Sequence, residues 1–214
     1  MKKILILGSN SFSGNHLINY LLKKNFSVIG CSLSKQPETK FNSINLFSKK
    51  KIKNFKFERI DINKNSEKLK RLLLKYKPSI IVDFLGQGMV AESWQYPYLT
   101  FYTNVLSKIK LYNFLNKQKF LKKYIKISTP EVFGSAKIKD SNFKNYNPST
   151  PYALSHSTIE SYLNLLFKQF SFPVIISRFA NFYGPYQKLY RVIPLAIHKA
   201  NKKEKFKLHG GGKS

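Results

Sequence analysis

The stretch TPYALSHS, residues 150–157, puts Tyr152 and His156 four positions apart at what reads as the first turn of a helix. At that spacing two side chains share one helical face and can act on one ligand. In such pairs the basic partner is usually a lysine. The arrangement is therefore either a working redox pair with an unusual base or a coincidence on a packed helix. A short distance upstream, ISTPEVFGS (127–135) closes an apolar run with the hydroxyls of Ser128 and Thr129 and the carboxylate of Glu131. The two hydroxyls could simply satisfy backbone groups at a strand end, and Glu131 could be a surface carboxylate. The chain has only ten acidic residues, however, so one standing there is not easily dismissed.

These groups need elements to position them. Apolar runs of strand length alternate with amphipathic segments, the pattern of a parallel sheet flanked by helices. Strands are expected over ILIL (4–7), FSVIGCS (26–32), KFERI (56–60), SIIVDFL (79–85), KYIKIS (123–128) and PVIISRF (173–179). Helices are expected over about 13–24, 65–76, 97–117 and 151–170, the last opening with Pro151 at a tolerated N-terminal position. The lysine-rich segment 34–54 lacks periodicity and reads as a mobile insertion. The fold class is α/β, a Rossmann-type doubly wound parallel sheet over 1–178. An incomplete smaller substrate-binding region then begins at 179–214. The closing LHGGGKS has no following element, which reads as a truncated reading frame.

GSNSFSG (8–14) sits between the first strand and the first helix, where a dinucleotide pyrophosphate docks on a helix N-terminus. Gly8 suits the tight turn and Gly14 close helix–strand packing, whereas Ser11 stands where a glycine is usual. The second strand ends without the carboxylate that holds an NAD ribose. Ser32, Ser34 and Lys35 take its place, a set that could hold the 2′-phosphate of NADP or leave Lys35 as one solvated lysine among many. Asp61 and Ile62, just past the third strand, fit an adenine-edge contact.

A formal charge of +28 with only four arginines, Arg59, Arg71, Arg178 and Arg191, argues against a nucleic-acid reader, since arginine is the preferred residue for base and phosphate recognition. The field would still draw in a polyanionic small substrate. The single cysteine, Cys31, excludes an intramolecular disulfide and suits a reducing cytoplasm. No apolar stretch reaches membrane-spanning length. His16, His198 and His209 are isolated, with no metal-ligand spacing.

Taken together, GSNSFSG, the Asp61–Ile62 pair, VDFLGQG (82–88), TNV (103–105), STPEVFGS, NPSTPYALSH, RFANFYGP (178–185) and LHGGG (208–212) resemble the extended short-chain dehydrogenases/reductases, specifically the NAD(P)-dependent nucleotide-sugar epimerases and dehydratases. The stretches fall in that family's order along nearly the whole chain. The resemblance implies NAD or NADP as cofactor and a nucleotide-diphosphate sugar as substrate; it allows for a homodimer and involves no membrane. It implies cofactor contacts at Gly8, Ser11, Phe12, Gly14, Ser32, Lys35, Asp61, Ile62, Leu85, Gly86 and Gln87, with Tyr152 and His156 at the reacting end. Substrate contacts are implied at Ser128, Thr129 and Asn181. Tyr152 would take the sugar C4 hydroxyl proton, and Thr129 would bond the C4 oxygen. Glu131 would remove the C5 proton, which favours 4,6-dehydration over C4 epimerisation; decarboxylation of a uronate remains open. Two departures stand out. Pro130 occupies the place of an aspartate acid. His156 replaces the lysine, and a neutral imidazole supplies less field to a tyrosine than an ammonium would. A slowed enzyme or a nucleotide-sugar binding protein is thus the alternative, and a lysine at 156 would be expected to make Tyr152 more acidic.

Overall fold

The structure, a computed structural model, describes residues 3–37, 42–43, 53–134 and 145–207. Its centre is a six-stranded parallel sheet in the order β3-β2-β1-β4-β5-β6, formed by β1 (Lys3–Leu7), β2 (Ser27–Ser32), β3 (Phe55–Arg59), β4 (Ile80–Asp83), β5 (Lys123–Ser128) and β6 (Val174–Arg178). The order reverses beside β1, and in such sheets ligands bind at that switch point, beyond the strands' carboxyl ends. Helices α1 (Phe12–Lys23), α2 (Ser66–Tyr76), α5 (Ser107–Leu115) and α6 (Pro151–Phe170) are the long crossover helices. Two apolar clusters cover the sheet. One packs Leu5, Ile81 and Tyr124 against Leu69, Leu111, Ile159 and Leu163, and the other packs Ile4, Ile6 and Val82 against Ile18 and Leu22. Side chains alternate along a strand. Tyr124, Lys126 and Ser128 of β5 thus face α5 and α6, while Ile125 and Ile127 join the opposite cluster.

The sequence-derived elements need four adjustments. The fourth strand stops at Asp83 instead of 85, because the Asp83 carboxylate accepts the Leu85 N–H at 3.0 Å and turns the chain. The long helix expected over 97–117 is broken: α4 (Pro97–Phe101) runs through a π-helical turn, Tyr102–Leu106, into α5. A short helix α3 (Val90–Gln95), a 3₁₀ turn (Pro130–Phe133) and a helix α7 (Val192–Asn201) were not expected. Most of the proposed insertion, and the LHGGG cluster with His209, lie outside the described residues. Within that insertion, Asn42 and Ser43 are buried: Asn15 accepts from both the backbone N–H and the hydroxyl of Ser43, and Asn19 donates to the Ser43 carbonyl.

Candidate active site

The turn after β1 is built for close approach. Gly8 has φ +74°, and a Cβ there would come within 2.8 Å of the Leu85 nitrogen; a Cβ on Gly14 would lie 2.5 Å from the Gly8 carbonyl oxygen. Ser11 caps α1, its hydroxyl accepting the Gly14 N–H at 3.0 Å. The serine that stands where a glycine is usual therefore folds back onto the helix. The first-turn amides of Phe12 and Ser13 have no intrahelical acceptor, which makes them the donors for an anion. Beyond β2, the Asn10 amide holds the Ser34 and Lys35 carbonyls at 2.9 and 2.8 Å, with Lys35 itself exposed. Arg59, a residue the sequence reading did not single out, stands in register with Ser32 and donates to the Leu33 carbonyl at 2.9 Å. Ile62 is a core residue, so any contact it makes with an adenine comes from its backbone. The Asp61 carboxylate accepts the Asn63 N–H at 2.8 Å.

On the other side of the switch point, Asn104 in the π turn organises the segment after β4. Its side-chain oxygen accepts the Gln87 N–H at 2.8 Å, and its amide donates to the Gln87 carbonyl and the Ser155 hydroxyl. A Cβ on Gly86 would sit 2.9 Å from that same oxygen. This ties Leu85–Gln87 to α6, on which Tyr152 stands. Helix α6 is capped by Thr150, whose hydroxyl accepts the Ala153 N–H. It is steadied by buried Ser93 of α3, which accepts the Tyr152 N–H at 3.1 Å.

Thr129, Glu131, Tyr152 and His156 come together at the carboxyl end of β5. Thr129 caps the 3₁₀ turn that carries Glu131, accepting the Glu131 N–H at 3.2 Å. The Tyr152 and His156 rings lie with centroids 4.6 Å apart. Burial pushes the Tyr152 phenol up to about 12 and the nearby Glu131 charge adds to this, while the Thr129 hydroxyl and the Arg191 guanidinium oppose it. Arg191, at the start of α7, was another functional candidate the sequence did not reveal. Asn181 is exposed on the segment after β6. That segment also meets α1, where His16 Nε2 lies 2.9 Å from the Pro185 carbonyl.

Ser128 departs from expectation. Its side chain points into the layer between β5 and α6, where its hydroxyl donates to the buried Glu160 carboxylate at 2.5 Å and meets His156 Nδ1 at 3.1 Å. A buried carboxylate needs such donors, and Tyr146 and Arg178 supply the others. Ser128 is therefore turned into the layer between β5 and α6, bonded to Glu160 and His156. The same layer holds Asp83, bonded by both Lys108 (2.5 Å) and Tyr124 (2.7 Å). Burial opposes the ionisation of Asp83, but Lys108 and Lys126 beside it hold the carboxyl below its usual range. Burial lowers His156 well below the ordinary imidazole range, and the charges of Lys126 and Lys108 lower it further. An ammonium at position 156 would stand near those two lysines, whose charges oppose its own.

A parallel sheet of this order, with a glycine turn at its switch point and helices on both faces, is a Rossmann-type α/β fold. The chain belongs to the NAD-dependent epimerase/dehydratase family, whose pattern it matches over residues 4–214. It is 33% identical over 226 residues to a dTDP-D-glucose 4,6-dehydratase of Dictyostelium discoideum, covering 100% of this chain and 51% of that one. Among solved structures it is similar to a dTDP-glucose 4,6-dehydratase of Bacillus anthracis in complex with NAD (TM-score 0.82, 25% identity, 99% of this chain and 65% of that one). It is also similar to a UDP-glucuronic acid 4-epimerase of Bacillus cereus in complex with UDP-glucuronic acid and NAD (TM-score 0.79, 26% identity, 94% and 64%). The chain thus spans between half and two thirds of these relatives.

Proposed function

We propose that the protein converts a nucleotide-diphosphate sugar by transient oxidation at C4 followed by elimination across C5 and C6, a 4,6-dehydration, with dTDP-glucose as the substrate. The observation that carries this reading is the placement of Glu131. The 3₁₀ turn capped by Thr129 sets its carboxylate close enough to Tyr152 to raise the phenol's pKa. On this reading Tyr152 works at C4 and Glu131 at the neighbouring carbon of one sugar ring. Two of the three named relatives are dehydratases, which supports it; the third is a 4-epimerase.

The residues present fit a dinucleotide: Gly8 and Gly14 let the turn after β1 close tightly on the backbone of Phe84 and Leu85 and on itself, and the first-turn amides of α1, without intrahelical acceptors, are available to an anion. Gly8, Ser11, Phe12 and Gly14 would hold the pyrophosphate, Ser32, Lys35 and Asp61 the adenosine end, and Leu85–Gln87 the path between. Bound there, NAD would supply a positively charged nicotinamide able to accept a hydride and give it back within one turnover. Tyr152 would accept the C4 hydroxyl proton as its phenolate, a form that burial and the Glu131 charge disfavour and that Arg191 and the positive charge of a bound nicotinamide would favour, while Thr129 hydrogen-bonds the C4 oxygen and so orients it. Once C4 is a carbonyl, the C5 hydrogen is acidic, and Glu131 removes it as the C6 hydroxyl departs. Pro130 offers no proton, so the leaving hydroxyl takes its proton from another group or from water. On this reading residues 1–178 form the dinucleotide domain and 179–214 open the substrate-binding region. Glu131→Gln tests the assignment. It is expected to abolish the 4-keto-6-deoxy product and solvent-hydrogen exchange at C5, while the transient nicotinamide absorbance that marks C4 oxidation persists. Equal loss of both would make Glu131 structural and remove the dehydratase reading.

A further inference from the structure

The hydrogen bonds beneath Tyr152 specify how His156 works. Glu160 is fully buried and accepts from Ser128, Tyr146 and the Arg178 guanidinium. A carboxylate paired with a guanidinium and receiving two hydroxyl protons carries no proton of its own. The single Ser128 proton is therefore directed to Glu160, 2.5 Å away. At 3.1 Å from His156 Nδ1, the Ser128 oxygen can only accept. The imidazole proton thus sits on Nδ1. Nε2 is a bare lone pair unless the ring is doubly protonated.

Double protonation is opposed from several sides. His156 is 7% exposed and Lys126, on the same β5 face as Ser128, is 3% exposed. Lys108 approaches from α5, but its charge is matched by Asp83 of β4, as Arg178 is matched by Glu160 of α6. Among the described residues Lys126 has no carboxylate within ion-pair distance; its ammonium donates to the Ile127 carbonyl at 2.7 Å. Lys126 is therefore the buried cation whose charge falls on His156 without a direct counter-ion. The family resemblance expects a cation at 156; in this chain the cation stands one layer deeper and 156 is neutral.

We propose that His156 serves the site as a neutral hydrogen-bond acceptor whose Nε2 receives a ribose hydroxyl of the bound dinucleotide, with Ser128 and Glu160 as positioning residues that fix its tautomer and Lys126 as the cation that keeps it uncharged. The ligand in this assignment rests on the function proposed above; the tautomer does not.

Nitrogen-15 NMR of the histidine side chains, with His156 assigned by difference from His156→Gln, reads the tautomer directly. The expected spectrum has a proton on Nδ1 and none on Nε2, no titration near 6.5, and an Nε2 resonance that moves when NAD alone is added. A proton on Nε2, or a ring that titrates near 6.5, overturns the proposal. The expected tautomer in a protein that fails to bind NAD overturns the ligand and the proposed function together. The charge relation is tested separately by calorimetry. His156→Lys is expected to weaken NAD binding roughly tenfold, the equivalent of one pKa unit, and Lys126→Met in the same chain to recover most of it. Tighter binding by His156→Lys with Lys126 in place removes Lys126 from the assignment.

Discussion

Lys126→Met should make the protein more stable, although it deletes a hydrogen-bonding group. Burial pulls the ammonium down to about 8, with Asp83 and Glu160 drawing it up and Lys108 adding to the drop. Against an ordinary value of 10.5 that is a cost of about 3 kcal/mol for keeping the charge at neutral pH. The bond to the Ile127 carbonyl returns about 1–2 kcal/mol, which the methionine forfeits. The net gain is about 1–2 kcal/mol, a rise of roughly 2–8 °C in Tm for a chain of this size. The pH dependence carries a sharper signature. The folded-state pKa lies below the unfolded one, so from about pH 8 to 10.5 the unfolded chain holds more protons and the native protein gains stability as pH rises. The methionine variant lacks this contribution, so its advantage should shrink across that window. Thermal melts of both proteins at neutral and alkaline pH measure it. A variant less stable at pH 7, or a difference that stays constant with pH, would refute the view of Lys126 as a buried, uncompensated cation.

Gly14→Ala should cost NAD affinity beyond detection by calorimetry at ordinary concentrations, because its Cβ meets the Gly8 carbonyl at 2.5 Å and the Ser11 hydroxyl at 2.9 Å, displacing the turn itself. Unchanged affinity would place the dinucleotide elsewhere. NADP should bind at least as well as NAD, since Lys35 is exposed just past β2, Arg59 stands in register with Ser32, and the described residues 32–37 that follow that strand's end hold no carboxylate to repel a 2′-phosphate. A clear preference for NAD in parallel titrations would remove that argument and leave Lys35 as a solvated surface lysine.

The sheet was legible because its signal is redundant: six apolar runs, each bounded by polar or turn residues, match β1 to β6 to within a residue or two. Helix α6 was equally plain, with Pro151 and the Tyr152–His156 spacing marking its first turn. The break in the long helix was not, since Tyr102–Leu106 has ordinary helical composition; the π turn follows from Asn104 reaching the Gln87 backbone, a tertiary demand. Ser128 was given as a substrate contact through the family resemblance alone, although adjacent strand residues point to opposite sides and Ser128 and Thr129 therefore cannot share a face. The alternation was visible, but not which side held a buried carboxylate needing a donor. Lys108 and Lys126 were hidden for a different reason. In a chain with 38 Lys and Arg residues, two buried lysines look like the rest until the layer between β5 and α6 is seen.

The central claim is that one turnover oxidises C4 and eliminates across C5 and C6, and an isotope label decides it. dTDP-glucose carrying deuterium at C4, incubated with the protein and NAD, should give a 4-keto-6-deoxy product with that deuterium at C6, because the hydride taken from C4 is returned to the carbon that lost its hydroxyl. Deuterium found at C4 of an epimerised sugar would contradict the account and make the protein an epimerase, with Glu131 no longer a base.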